Sequence, residues 1–123
     1  MAEPIMIESI LEDVKKFCML TKDNTDFDSV VTLHINSAFA SLKQMGVGPQ
    51  QGFKIQGYDE KWSDYFSDKD FVENVKEYVC IKTKIAFDTP QASGMKEALE
   101  NQLAETEYRV RIQWDDEFKL NGD

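Results

Sequence analysis

Histidine occurs once in this chain, cysteine twice and proline three times among 123 residues. Each scarcity removes a class of function. His34 alone cannot build a multi-histidine metal centre. It sits one helical turn from Val30 and Ala38, beside an apolar stripe, where a packed imidazole is the plain reading. No G-x-S-x-G elbow accompanies it. Cys18 and Cys80 lie far apart with no C-x-x-C or Cys/His spacing, which argues against a metal site. Both have apolar neighbours, so buried thiols in a reducing compartment are expected. No apolar run approaches the ~20 residues of a membrane span. The first residues lack the basic start and apolar run of a secretion signal, so synthesis and folding in a cytosol are expected.

Positive charge is also scarce. Lys and Arg number 14 against 23 Asp and Glu, for a net charge of −9. Phosphate-backbone binding needs clustered Lys and Arg, and no cluster exists here. That argues against a sequence-specific DNA binder, though not against a wall that DNA passes without sticking, since acidic surfaces repel phosphate. The densest acids, Asp115, Asp116 and Glu117, are adjacent in a terminal stretch. Such runs are usually solvated, so no metal site is expected there.

Glycine is concentrated. Residues 46–57, GVGPQQGFKIQG, hold four of the six glycines and one proline. This run fails as a phosphate cradle. A P-loop reads G-x-x-x-x-G-K-[ST], but Phe53 follows Gly52. The dinucleotide fingerprint G-x-G-x-x-G misses as well, because Gly46, Gly48 and Gly52 are spaced G-x-G-x-x-x-G. Both motifs follow a strand, and here a helix precedes. No cofactor and no catalytic constellation are expected.

What is present is helical periodicity. Ile7, Ile10, Leu11, Val14, Phe17 and Cys18 predict a helix over 4–19, with Pro4 suited to its start. A second helix follows TKDNTD, capped by Thr25 or Asp26. Phe27, Val31, Ile35, Ala38, Leu42 and Met45 line one face of it, and Gly46 sits where a C-terminal glycine belongs. YDEKWSDYF predicts a short helical turn. A third long helix, capped by Ser67 or Asp68, carries Phe71, Val75, Tyr78, Val79, Ile85 and Ala86. Residues 79–87 also alternate like a strand, but the run continues from Phe71 without a turn signal, which favours helix. DTPQASG reads as a linker. A last helix spans about 92–108, with Met95, Leu99 and Leu103 in line and i,i+4 pairs Glu105–Arg109 and Glu107–Arg111. Beyond it Tyr108, Val110, Ile112 and Trp114 alternate with polar residues, which predicts an extended arm and then an acidic tail. The expected fold is all-α: a single small bundle of about four helices over 1–108, with a long glycine-rich loop between helices 2 and 3 and a C-terminal arm over 109–123.

Two features point toward a protein interface. Phe53, Tyr58, Trp62, Tyr65 and Phe66 crowd around the glycine loop, serving either a core or a partner. The stretch YRVRIQW, if exposed, is a hazard unless it folds back or a neighbour covers it. The candidate interface residues are Phe53, Ile55, Trp62, Arg109, Arg111, Ile112 and Trp114.

The order of LKQMGVGP (42–49), GFKI (52–55), Trp62, EYVCIKTKIAFDTP (77–90) and ALENQLAETEYRVRI (98–112) resembles the small helical head–tail connector proteins, or adaptors, of long-tailed bacteriophages. That resemblance covers most of the chain. It implies a structural virion component at the head–tail junction rather than an enzyme. It further implies a homo-oligomeric ring, twelve-fold like the portal it docks under, that extends the DNA channel and receives a stopper or tail-completion protein. A C-terminal segment reaching the portal and no membrane partner are also implied. DNA passes through without sequence-specific binding, and an acidic wall suits that passage. A competing reading is a small acidic helical module of phage or bacterial origin that regulates or inhibits another protein.

Overall fold

The computed structural model describes residues 9–87 and 93–118. Five helices follow in order: α1 (Ile10–Phe17), α2 (Asp28–Gln44), α3 (Trp62–Tyr65), α4 (Lys69–Phe87) and α5 (Ser93–Glu117). Among the described residues the only β pairing is an isolated bridge between Ser9 and Lys61. The chain is therefore an all-α bundle. Pro4, Ile7, most of the DTPQASG stretch and the last five residues lie outside the described residues.

α4 is the axis of the bundle. It packs against α1, α2, α3 and α5. A helix with neighbours on several sides must be apolar around most of its girth, and α4 is: Phe71, Val72, Val75, Tyr78, Val79, Cys80, Ile81 and Thr83 are all buried. Its helical course through 79–87 settles the choice between helix and strand. The alternation there arises because a helix covered on several sides has no fixed polar face. Asp68 caps it, accepting a 2.9 Å hydrogen bond from the Phe71 N–H, which satisfies one of the unpaired first-turn donors.

α1 is only 8 residues long, too short to hold itself together in water. Ser9 caps it through the Glu12 N–H at 3.3 Å, and polar anchors fix it from both sides. Lys15 is 1% exposed. Its ammonium pairs with Asp28 Oδ1 at 2.7 Å and donates to Tyr58 Oη at 2.6 Å, Asn24 O at 2.8 Å and Lys22 O at 3.2 Å. The Tyr58 hydroxyl in turn donates to Asp28 Oδ2 at 2.9 Å. Burial alone would push the lysine pKa down, but the hydrogen bonds to Asp28 and Tyr58 outweigh it and the net direction is up. On the other side, Asp13 Oδ2 accepts the Trp62 indole N–H at 2.9 Å and pairs with Lys76 at 3.3 Å. Those bonds join α1 to α3 and α4.

α2 departs from expectation at its start. The N-cap is Phe27 and no side chain caps the helix. Thr25 contributes its carbonyl, which accepts the Asp28 N–H at 3.2 Å, and the Asp26 N–H donates to Asn24 Oδ1. Val31, Ile35, Ala38, Phe39 and Leu42 are buried as the stripe requires, whereas Phe27 and Val30 are each 42% exposed. Phe27 meets the end of α4, edge-on to Phe87.

The predicted extended arm is corrected. α5 runs unbroken through Arg109–Glu117. The alternation Tyr108, Val110, Ile112, Trp114 is really two i,i+4 pairs on opposite faces. Val110 is fully buried and Trp114 packs on the core, while Tyr108 is 69% exposed and Ile112 41%. The residues between them, Arg109, Arg111 and Gln113, are good helix formers, and nothing in the stretch breaks a helix. Trp114 and Phe118 close on Phe66 and Phe71 at ring-centroid distances of 5.1–5.4 Å. The pairing also differs from expectation: Arg109 reaches across to Glu77 at 3.4 Å, while Glu107–Arg111 forms within the helix at 3.9 Å. Met95, expected in line with Leu99 and Leu103, is 59% exposed.

Two outcomes test this description. Met19 closes α1 with φ +67, donating its N–H to Lys16 O while Leu20 N–H reaches Lys15 O. This is the left-handed closure usually given to glycine. A left-handed L-residue costs roughly 1–2 kcal/mol, so Met19→Gly should stabilise the fold by about 1 kcal/mol in urea unfolding. Trp114→Ala should cost on the order of 2 kcal/mol and lower the thermal midpoint; an unchanged midpoint would restore the picture of a detached arm.

Candidate functional site

The glycine-rich loop begins as a helix terminus. Gly46 has φ +77, its N–H bonds to Lys43 O, and the Val47 N–H reaches Leu42 O at 2.9 Å. These two bonds satisfy orphan carbonyls of α2 and return the chain toward the core, where Val47 is buried against Leu42. Gly48, at φ +89, lies directly under the Tyr65 hydroxyl, so any β-carbon there would overlap it.

From there the loop is tied down at intervals. The Asn36 side chain on α2 grips the Ile55 backbone twice, accepting its N–H at 2.8 Å and donating to its carbonyl at 3.0 Å. The Glu60 carboxylate accepts the N–H groups of Gln56 and Gly57. Tyr58 joins Lys15 and Asp28. Phe53 lies edge-on to Phe39 and Tyr65, at 5.1 and 5.5 Å. These contacts make the loop a fixed surface continuous with the bundle.

The structure divides the candidate interface residues. Ile55 and Trp62 are buried at 2% and 4% exposure, so in this chain they belong to the core. Phe53 and Trp114 are half-buried, each with one side on the aromatic cluster. Arg109, Arg111 and Ile112 are exposed on α5. Two of the open grooves take in Phe53, Arg109 and Ile112, while Arg111 and Trp114 line neither. One, of about 390 Å³, lies between α2 and the loop, where Phe39 and Phe53 meet Lys43 and Lys54. The other, of about 480 Å³, runs along α5 beside Asn74 of α4 and joins Tyr108, Arg109 and Ile112 to Asp116 and Glu117. Lys43 and Lys54, which line the first groove, are not among the residues singled out from the sequence. The one available signal was Lys54 between Phe53 and Ile55, a charge inside an apolar loop segment.

Burial pushes the Cys80 thiol up to about 12, against the opposing pull of Lys76, so at neutral pH it is no nucleophile. Burial also raises Tyr78 to about 12, helped by Glu107 and opposed by its hydrogen bond with Ser41. The Tyr65 hydroxyl is raised by burial and has no hydrogen-bond partner among the described residues. Among those residues, no three His, Cys, Asp or Glu side chains gather to hold a metal ion. No described helix is long and apolar enough to cross a membrane.

Gly48 and Tyr65 form a testable couple. Gly48→Ala should cost about 2 kcal/mol through its positive φ and its clash. Tyr65→Phe should be near neutral, since it removes a buried hydroxyl that bonds nothing. In the double variant part of the Gly48→Ala penalty should disappear; strict additivity in urea unfolding would disprove the contact.

A family model described as phage connector protein matches residues 10–117, from the first residue of α1 to the last of α5. No curated protein and no solved structure matches the chain.

Proposed function

Since the chain belongs to the phage connector protein family, a structural family rather than an enzymatic one, we propose that it forms a ring between the portal and the stopper or tail. That ring extends the DNA channel and joins head to tail, so the protein acts as a component of the virion. The observation that carries this reading is the family match over all five helices.

The surface supports it. α5 buries Val110 and half-buries Trp114 on one face while exposing Tyr108 and Ile112 on the other. A chain that closes a ring must offer two different, complementary surfaces, and outward apolar residues on a well-anchored helix suit one of them. The net charge of −9 suits a conduit whose wall must not retain phosphate. The residues that follow α5 are the segment we assign to contact with the portal.

Mixing the purified protein with portal should give a complex with the portal's rotational symmetry by mass measurement and electron microscopy. Failure to associate at any salt concentration would overturn the reading. A ring whose channel wall is mainly Lys and Arg would overturn the acidic-conduit part alone.

A further inference from the structure

The two open grooves differ in sign. The groove beside the loop is floored by Phe39, Ala40 and Phe53 and edged by Lys43 and Lys54, and no carboxylate lines it. That is unusual for a chain with 23 acidic residues against 14 basic ones. Neither lysine has an ion-pair partner among the described residues. The groove on α5 has the opposite character. Tyr108 and Ile112 line it together with Glu105, Asp116 and Glu117. Its one cation, Arg109, is already paired with Glu77.

The two surfaces lie on different helices, α2 and α5, each of which packs on α4. Within one copy, no ion pair among the described residues joins Lys43 or Lys54 to Glu105, Asp116 or Glu117. Two copies can pair them, because a basic groove with an aromatic floor complements an acidic groove that holds an aromatic and an aliphatic side chain. A contact between two different patches is heterologous, the type that repeats from copy to copy and closes into a ring. The receiving groove is also held in shape before any partner arrives. Asn36 fixes Ile55, Phe53 rests on Phe39 and Tyr65, and the Lys43 methylenes lie against Gly52.

We propose that these grooves are the two halves of the contact between successive copies of this chain. Tyr108 and Ile112 of one copy seat on Ala40 and Phe53 of the next, over the buried Phe39, and Asp116 and Glu117 meet Lys43 and Lys54. The inference rests on the ring reading above and names the surfaces that would build it.

Charge reversal tests it with the full chain. The variants are Lys43→Glu with Lys54→Glu, and separately Asp116→Lys with Glu117→Lys. All four positions are exposed, so thermal midpoints should stay close to wild type. Each variant alone should lose at least tenfold in self-association, followed by sedimentation velocity with and without portal. An equimolar mixture of the two should regain it, because every contact in an alternating ring then pairs opposite charges. Wild-type-like assembly by either variant alone would overturn this contact and leave the connector reading standing. Loss of portal binding with self-association intact would assign the groove to the portal and likewise overturn the contact. A wild-type chain that associates neither with itself nor on portal would overturn both readings.

Discussion

A charged nitrogen buried at 1% exposure must find partners, and the way Lys15 finds them organises this fold. Its ammonium is met by a carboxylate from the start of α2, a hydroxyl from the end of the glycine loop and carbonyls from the turn after α1. These segments have little reason to meet otherwise. An unpaired ammonium there would cost several kcal/mol, so each partner must be present for the others to be tolerable. Asp13, two residues earlier, does the same toward Trp62 and Lys76. A helix of 8 residues thus positions most of the bundle through its polar side chains.

Around that frame the packing is layered. α4 takes neighbours on several sides and is buried accordingly, while α2 and α5 each cover one part of it and turn another face to solvent. The aromatic cluster links the layers: Phe39 and Phe53 meet Tyr65, Tyr65 stacks on Phe71, and Phe71 meets Trp114 and Phe118. The loop and the end of α5 are therefore supported by one continuous set of rings. A small domain has too little interior to bury every apolar side chain it carries. Here the remainder is placed on fixed outer surfaces, which is where an assembly component needs it.

The sequence made some of this legible and not the rest, for physical reasons. Gly46 was readable because a left-handed helix terminus strongly favours glycine, and Asp68 because capping is a local event three residues long. The all-α class followed from stripes of period 3.6. The end of α5 was misread because any period-two run also contains i,i+4 pairs, and Val110 with Trp114 is such a pair. The local sequence carries no sign of Lys15's burial, because what buries it includes Tyr58, 43 residues away. The two grooves stayed hidden for the same reason: Lys43 and Lys54 share one only because Asn36 folds the loop back onto α2.

The anchored loop also bears on how fast copies could come together. A segment that must order itself during docking slows association, since productive collisions then wait on a conformational search. Here residues 46–61 are already held by Asn36, Glu60, Tyr58 and Phe53 in the single chain. Encounter is then limited by orientation, at roughly 10⁵–10⁷ M⁻¹s⁻¹, and opposite charges on the approaching surfaces would raise that rate at low salt. At micromolar concentrations such rates place each addition within about 0.1–10 s.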